Sequence, residues 1–289
     1  MIAMDAQISQ QAESLVAFIA PFESGIVAYS GGVDSAVVAK AAQLALGDSA
    51  LAITGLSASL AAGELEAAQR IAAAIGIRHV TLNTDELSQP AYLQNAPDRC
   101  FHCKTELYTQ LGVEAQRLGI RTILNGANTD DLGDFRPGMK AAANHDVCSP
   151  LAECGLDKAA VRAVARHWQI EAWDKPATPC LSSRVAYGLG ITPERLARID
   201  AAEQVLRTHG LGAVRVRLHE NELARLEVPL AVLPRLCEEG VRAVIVAQLR
   251  ALGFRYVTLD LEGFRSGSFL QLVPVEELTQ FAHVGQQQQ

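Results

Sequence analysis

A short segment of glycine and hydroxyl-bearing residues lies between an apolar run and a helical pattern near the start of the chain. It consists of Ser30, Gly31, Gly32, Val33, Asp34 and Ser35. Two adjacent glycines allow main-chain N–H groups to converge on an anion, and a helix that begins directly afterwards adds the positive end of its dipole. The chain contains no Gly-Lys-Ser or Gly-Lys-Thr, so this is not the lysine-bearing type of phosphate loop. The segment therefore predicts a site for the phosphates of a nucleotide.

The segment also contains an acid, Asp34, whose charge is unfavourable for binding phosphate. Its carboxylate would repel a phosphate unless a cation lay between the two groups. We therefore assign Asp34 either to binding Mg²⁺ or to ordering the loop. The alternative for the whole segment is an ordinary strand-to-helix turn, because Ser and Gly are common there.

Two thiols in the middle of the chain have the spacing of metal ligands. Cys100 and Cys103 stand just ahead of a predicted helix, and Cys180 is a third candidate further along. The helix amino terminus and the neighbouring basic side chains are expected to lower the pKa of both thiols, which suits metal binding or nucleophilic attack. Three interpretations remain open: a zinc site with His102 as a further ligand, a reversible disulfide, and a four-iron cluster held by three thiolates.

The elements that position these residues follow from the spacing of apolar side chains. Strands are predicted at 25–29, 50–54, 79–82 and 122–125, and helices at 8–19, 33–46, 61–75 and 104–118. Strands that alternate with helices predict an α/β fold with a doubly wound, mostly parallel sheet. Because such sheets bind ligands at the carboxyl ends of their strands, Thr54, Gly126 and Asn128 are predicted to bind the nucleotide together with the loop.

The second half of the chain changes character after the prolines at 176 and 179. A helix is predicted at 193–209, strands at 214–218, before Pro229 and at 256–261, and largely helical structure at 230–252. We predict a nucleotide-binding domain at 1–183 and a smaller α+β domain for substrate binding or oligomerisation at 184–283. The polar tail at 284–289 has nothing to bury, so we expect it to be disordered.

Composition narrows the classes of partner and compartment. The 32 acidic residues outnumber the 25 basic ones, and the net charge of −7 disfavours nucleic acid and favours a small substrate. No apolar run approaches the roughly 20 residues that span a bilayer, and no secretory signal is apparent, so we expect a cytoplasmic protein without membrane contact. In that compartment thiols stay reduced, which argues against structural disulfides among the six cysteines.

Residues 30–35 match in full the Ser-Gly-Gly-X-Asp-Ser motif of the PP-loop ATP pyrophosphatases, and the chain resembles that superfamily. The resemblance implies that the protein binds ATP and Mg²⁺ and cleaves ATP between its α and β phosphates. AMP would pass to a carbonyl or carboxyl oxygen, and a nitrogen or sulfur nucleophile would then displace it. Adenylation is needed because a free carboxylate is a poor electrophile.

Longer segments are similar to the LarE family within that superfamily. They are residues 126–138, residues 175–184 and the strand segment 214–217. The resemblance covers most of the chain and implies a sulfur transferase that converts the carboxylates of pyridinium-3,5-biscarboxylic acid mononucleotide to thiocarboxylates. That step belongs to synthesis of the nickel-pincer nucleotide cofactor of lactate racemase. Family members form homo-oligomers, often hexamers, so the resemblance also implies self-assembly.

The source of the sulfur differs between members of the LarE family. In one type, a cysteine that matches Cys180 gives up its own sulfur and becomes dehydroalanine. In the other type, three cysteines hold a [4Fe-4S] cluster that carries an extra sulfide. The presence of Cys100 and Cys103 beside Cys180 favours the cluster type, which puts the sacrificial role of Cys180 in doubt.

Basic and acidic side chains complete the predicted site. Arg184, Arg215 and Arg217 are candidates for binding the substrate phosphate, and the last two alternate along a predicted strand so that both project from one face. Asp131, in an acidic segment after the fourth strand, is a candidate for Mg²⁺. The alternative is that these arginines and this acid are solvated surface charges.

Two other functions stay open at this point. Several PP-loop tRNA thiolases combine the same loop with a Cys-X-X-Cys and a third cysteine, although the acidic charge and the absence of a segment dense in Lys and Arg disfavour RNA. A non-catalytic module that binds a nucleotide or a metal is the alternative from a different class.

Overall fold

The computed structural model describes residues 2–132 and 137–265. Its strands are β1 Gly25–Ala28, β2 Ala50–Leu56, β3 Arg78–Asn83, β4 Ile123–Leu124, β5 Arg215–His219, β6 Leu223–Glu227 and β7 Tyr256–Leu259. Its helices are α1 Ile2–Ile19, α2 Val33–Leu46, α3 Glu64–Ile75, α4 Pro90–Leu93, α5 Arg99–Leu118, α6 Pro137–Asn144, α7 Pro150–Glu153, α8 Lys158–His167, α9 Pro193–Thr208, α10 Leu233–Cys237 and α11 Glu239–Ala251. The predicted tail at 284–289 lies outside the described residues.

The chain divides into two compact units. Among the described residues, the first contains residues 2–57, 63–86 and 100–178, and the second contains residues 58–62, 87–99 and 179–265. Two short segments from the first half of the chain thus belong to the second unit. The predicted division between 183 and 184 did not anticipate them, because neither segment contains a strand or a long helix that would reveal its partner.

The first unit is built on a four-stranded parallel sheet with the order β3-β2-β1-β4. The middle strands β1 and β2 are apolar along most of their length, because side chains on both faces of a parallel sheet are covered by helices. Val27 and Ala52 point into a core shared with α1, α2, α3 and α8, whereas Ile26, Leu51 and Ile53 belong to a second core shared with α5 and α6. This arrangement confirms the predicted α/β fold with a mostly parallel sheet.

The second unit contains a three-stranded sheet with the order β5-β6-β7. β5 and β6 are antiparallel, and β6 and β7 are parallel. The helix α9 packs against β5 and α11, and it begins as its sequence predicts, with Thr192 accepting a hydrogen bond from Arg195 N at 3.3 Å and Pro193 in the first turn. The smaller α+β architecture predicted for this part of the chain is confirmed.

Within the described residues, no helix is both long enough and apolar enough to cross a bilayer.

Candidate functional site

The phosphate-loop segment lies at the carboxyl end of β1, where α2 begins at Val33. The chain runs from β1 outward to β2 and β3 on one side and later adds β4 on the other side of β1. Parallel sheets bind ligands where the strand order reverses in this way, because the loops after the two neighbouring strands diverge and leave a crevice. The loop after β1 and the residues after β4 therefore occupy the expected place for a nucleotide.

Gly31 adopts a backbone conformation that only glycine takes readily. Its φ is +71°, and a Cβ atom at this position would lie 2.8 Å from Cα of Ala68 on α3. The first loop glycine thus lets the loop lie directly against α3. A side chain at this position would force the loop or α3 to move.

The hydroxyl groups of Ser30 and Ser35 hold the loop together. Ser35 donates through Oγ to the carbonyl of Gly32 at 3.1 Å, and its oxygen accepts from Ser30 N at 3.2 Å. The two hydroxyl oxygens are 3.2 Å apart, and Ser30 Oγ also accepts from Gly32 N at 3.4 Å. The loop is therefore ordered by its own side chains at the amino end of α2.

Gly126 brings the end of β4 against the start of α2. A Cβ atom on Gly126 would lie 2.8 Å from Ser35 N and 3.0 Å from the carbonyl carbon of Asp34. Because both contacts are to main-chain atoms, a change of rotamer could not make room for a side chain at Gly126. Gly126 therefore lies directly against the phosphate loop, as expected for a residue at the carboxyl end of a neighbouring strand.

Asp34 is held by two side chains that follow it far along the chain. Lys158 forms an ion pair with Asp34 Oδ2, and Asn128 donates through Nδ2 to Asp34 Oδ1 at 3.2 Å. The side chains of Asp34 and Lys158 are 25% and 35% exposed, so solvent and a ligand can reach both. Of the two roles suggested for Asp34, this geometry supports ordering of the loop.

Lys158 was not identified from the sequence. It is the first residue of α8, and its main-chain N–H donates to Asp130 Oδ2 at 3.0 Å. The helix itself carries a recognisable signal, because Asp157 caps it by accepting from Ala160 N at 2.7 Å. A capped helix start at Lys158 could therefore be found from the sequence, but not its contact with the phosphate loop.

Asn128 and Asp131 form a reciprocal capping box on the single 3-10 turn Thr129–Asp131. The side chain of Asn128 accepts from Asp130 N at 3.0 Å, and the carboxylate of Asp131 accepts from Asn128 N at 3.0 Å. Both predicted site residues thus shape the loop after β4. Their roles toward ATP and Mg²⁺ stay predictions.

Thr54 lies on β2 beside the end of β1, where its hydroxyl makes contacts inside the sheet. Thr54 Oγ1 donates to the carbonyl of Tyr29 at 2.8 Å and lies 2.8 Å from His79 Nε2. Since the single hydroxyl proton is used on Tyr29, the histidine nitrogen is the donor in the second contact. Burial lowers the pKa of His79, which keeps the ring neutral. Nucleotide binding by Thr54 stays a prediction.

Cys100 and Cys103 lie within α5, near its start, and not ahead of it. The helix begins at Arg99, five residues before the predicted start, so the two thiols are one turn apart along the helix. Cys100 is exposed and Cys103 is half-buried. Both are accessible positions for a ligand or a reagent.

Cys180 belongs to the second unit, where it directly precedes the single 3-10 turn Leu181–Arg184. Its side chain is half-buried. Across residues 2–132 and 137–265, no three His, Cys, Asp or Glu side chains come together as a group that could hold a metal ion. The described structure therefore supplies two thiols on one helix turn for the predicted cluster but no set of three ligands.

The predicted phosphate-binding arginines lie in the second unit and are buried. Arg184 pairs with Glu203 at 3.0 Å, and Arg217 pairs with Glu227 through two bonds of 3.0 and 2.9 Å. Both glutamates are fully buried. A charged pair removed from water must be satisfied by such direct contacts, since an unpaired buried charge is strongly destabilising.

Arg215 lies over the ring of Phe264, with its guanidinium carbon 4.6 Å from the ring centroid. Burial lowers the pKa of Arg215 to about 10, and repulsion from Arg217 and Arg184 contributes further. An anion beside Arg215 would offset that repulsion. Anion binding by the pair Arg215 and Arg217 stays a prediction.

Comparisons with known proteins identify the family to which the chain is similar. A family model described as NAD synthase matches residues 9–111. An uncharacterised protein of Synechocystis sp. is 44% identical over 260 residues, which are 90% of this chain and 97% of that protein. The pyridinium-3,5-bisthiocarboxylic acid mononucleotide synthase of Lactiplantibacillus plantarum is 36% identical over 278 residues, which are 96% of this chain and 100% of that protein. The similarity to these two proteins spans residues of both compact units.

Proposed function

Because the chain belongs to the LarE family, together with the pyridinium-3,5-bisthiocarboxylic acid mononucleotide synthase of Lactiplantibacillus plantarum, we propose that it makes the same thiocarboxylate nucleotide. It acts as an ATP-dependent sulfur transferase on pyridinium-3,5-biscarboxylic acid mononucleotide. The observation that carries the proposal is the phosphate loop at the reversal of strand order in a chain that matches this relative from end to end.

The first half of the reaction uses the first unit. A substrate carboxylate oxygen attacks the α-phosphorus of ATP, the bond between the α and β phosphates breaks, and pyrophosphate leaves. Main-chain N–H groups at the start of α2 are suited to hold the departing pyrophosphate, because they and the helix dipole favour negative charge. Lys158 adds a positive charge beside the same loop.

The second half of the reaction needs a sulfur nucleophile. A thiolate attacks the carbonyl carbon of the acyl-adenylate, and AMP leaves with the electron pair of the broken C–O bond. We propose Cys180 as this nucleophile; removal of its α-proton would then break its Cβ–S bond and leave dehydroalanine and the thiocarboxylate. Its half-buried side chain on an ordered turn supports that role.

The [4Fe-4S] cluster stays a second candidate for the sulfur source. Cys100 and Cys103, one turn apart on α5, are suited to hold two positions of such a group, which would supply a bound sulfide. The described residues contain no group of three His, Cys, Asp or Glu side chains that could hold the cluster. Mg²⁺ at Asp131, the homo-oligomer and the cytoplasmic location likewise stay predictions.

A tRNA thiolase is the alternative enzyme, and a non-catalytic binding module is the alternative from another class. One experiment separates all three: protein prepared without oxygen is mixed with ATP, Mg²⁺ and the biscarboxylic acid nucleotide. We expect pyrophosphate release that depends on the nucleotide, and a product in which sulfur replaces oxygen. Release of pyrophosphate only with tRNA would favour the thiolase, and ATP binding without pyrophosphate release would favour the module.

A further inference from the structure

The turn that carries Cys180 is surrounded by buried polar groups of the second unit. Main-chain carbonyls in a surface turn usually bond to water. Here the carbonyls of Pro179, Cys180, Ser182 and Ser183 all accept from arginine side chains. Residues 179–184 are called the Cys180 turn below.

Arg184 holds the first half of the Cys180 turn. Its Nη1 donates to the carbonyl of Pro179 and, at 3.1 Å, to the carbonyl of Cys180. Its Nε donates to Glu203 Oε1 at 3.0 Å. With 2% of the residue exposed, the guanidinium is turned toward the main chain and Glu203. It therefore fixes the peptide groups on both sides of Cys180.

Arg99 holds the second half of the turn from a different segment of the same unit. Its Nη1 donates to the carbonyl of Ser182 at 2.8 Å and to Asn95 Oδ1 at 2.6 Å. Asn95 in turn donates through Nδ2 to the carbonyl of Ala186 at 2.8 Å, two residues beyond the turn. Both Arg99 and Asn95 are buried, at 4% and 0% exposure.

Two more contacts join the turn to the short segments that the second unit takes from the first half of the chain. The hydroxyls of Tyr92 and Ser182 are 2.6 Å apart, and Leu181 N donates to the carbonyl of Ser59 at 2.8 Å. Hydrogen bonds from a charged guanidinium are stronger than those between neutral groups, and a fully satisfied buried network holds its residues in one arrangement. By contrast, the thiol of Cys180 itself is half-buried and accessible.

We propose that Arg99 and Arg184 are positioning residues that clamp the Cys180 turn and present its thiol in one orientation. The inference deepens the proposed function and rests on it, because the sulfur carried by Cys180 must meet the acyl-adenylate carbon in a narrow range of geometry. A displacement of about 1 Å at a reacting group can cost about a hundredfold in rate. A rigid turn with a reachable thiol meets that requirement.

The test replaces each clamping arginine by lysine. Arg184→Lys and Arg99→Lys keep the positive charge, but a single ammonium group cannot reproduce the fork of a guanidinium that spans several acceptors. Arg198→Lys is the matched control, because Arg198 pairs with Glu222 in the same unit and contacts no residue of the Cys180 turn among its described partners. Each protein is treated with iodoacetamide, and alkylation is followed at Cys180 and at Cys154 by peptide mass spectrometry.

We expect both clamp variants to be alkylated at Cys180 at least about threefold faster than the unaltered protein, with Cys154 unchanged. The half-buried Cys154 reports general loosening of the fold, which would raise both rates together. Thiocarboxylate formation should fall about tenfold in both clamp variants, while pyrophosphate release by Arg99→Lys and both activities of the control stay unchanged. Faster alkylation of Cys180 and Cys154 in equal proportion would overturn the clamp.

Unaltered reactivity of Cys180 in both folded clamp variants would also overturn the proposal. Should either variant fail to fold, Tyr92→Phe provides the decision, because it removes the contact with the Ser182 hydroxyl and is expected to raise the reactivity of Cys180 selectively. If the unaltered protein makes no thiocarboxylate, the proposed function fails, and the alkylation ratios still decide whether the clamp exists.

Discussion

Lys158 and Asn128 hold the two carboxylate oxygens of Asp34 from elements that lie about a hundred residues further along the chain. Without a positive charge beside it, Asp34 would repel the phosphates that the loop is suited to bind. Lys158 offsets that repulsion, and because it is 35% exposed, a bound phosphate can reach it as well. The loop motif thus contains no lysine of its own, and α8 places Lys158 beside it.

We predict that Lys158→Met raises the KM for ATP and lowers the rate of pyrophosphate release about tenfold or more, because a positive charge at the departing phosphate is lost. Lys158→Arg should recover part of the rate. Arg70→Gln is the control: it breaks the exposed ion pair between Arg70 and Glu171 in the same unit. Steady-state assays of pyrophosphate release measure all three variants, and an unchanged KM and rate in Lys158→Met would contradict the prediction.

At the residue scale, the sequence identified the groups whose chemistry is local. Ser30 and Ser35 follow from the loop motif, because their hydrogen bonds join residues within five positions of each other. Arg184 was predicted to bind phosphate, and its described partners are Glu203, main-chain carbonyls of its own turn and the hydroxyl of Ser183. Sequence shows that an arginine is present but not which buried acid it meets after folding.

The contact between the phosphate loop and α3 depends on Gly31. We predict that Gly31→Ala destabilises the protein by more than the roughly 1 kcal/mol that strain at a positive φ costs, because the new Cβ would also meet the main chain of Ala68 at 2.8 Å. Gly76→Ala is the matched control, since Gly76 has φ +83° and no described atom within 4 Å of its Cβ position. Urea unfolding measures both, and equal losses would show that the close approach to α3 is absent.

The pairing of β2 with β3 includes the contact between Thr54 and His79. Burial lowers the pKa of His79 below its ordinary value of 6.5, so below pH 6.5 the unfolded chain binds a proton that the folded protein does not. Stability should therefore fall as the pH decreases from 7 to 5, by at most about 1.4 kcal/mol per pH unit for this one proton. Burial also lowers the pKa of His219, which adds to the same trend.

We predict that His79→Gln, whose amide can still donate to Thr54, reduces this acid dependence. His167→Gln should leave it unchanged, because His167 is exposed in the last turn of α8. Urea unfolding at pH 7, 6 and 5 provides the measurement. The same slope in His79→Gln as in the unaltered protein would mean that His79 titrates normally in the folded state.

At the scale of elements, β1 and β2 of the first unit could be predicted because buried parallel strands are mostly apolar. The start of α5 was placed at Lys104 instead of Arg99, since residues 100–103 are two cysteines, a phenylalanine and a histidine, none of which is a strong helix former. α6, α7 and α8 were not predicted. α6 and α7 have only eight and four residues, and such short helices owe their stability to packing.

At the scale of the whole molecule, the phosphate loop and the Cys180 turn belong to different compact units. The two half-reactions can therefore be separated by substitution. Changes in the first unit should act on pyrophosphate release, whereas changes at the Cys180 turn should act on sulfur transfer. This division could not be read from the sequence, because residues 58–62 and 87–99 join the second unit through contacts of buried side chains and main chain that leave no periodic pattern.

The number of thiocarboxylates made per chain distinguishes the two sulfur sources. If Cys180 gives up its sulfur, we expect at most one sulfur transferred per chain, a protein lighter by the mass of one hydrogen sulfide molecule, and no dependence on iron. Cys180→Ser should then keep pyrophosphate release and lose the product, whereas Cys100→Ser and the exposed control Cys237→Ser should keep both.

If the cluster carries the sulfur, anaerobic protein should contain iron and acid-labile sulfide, make several products per chain when sulfide is supplied, and lose both iron and product in Cys100→Ser. Intact-protein mass, iron content and product yield, measured on one preparation, decide between the two, because loss of sulfur from Cys180 and repeated turnover by the same chain exclude each other.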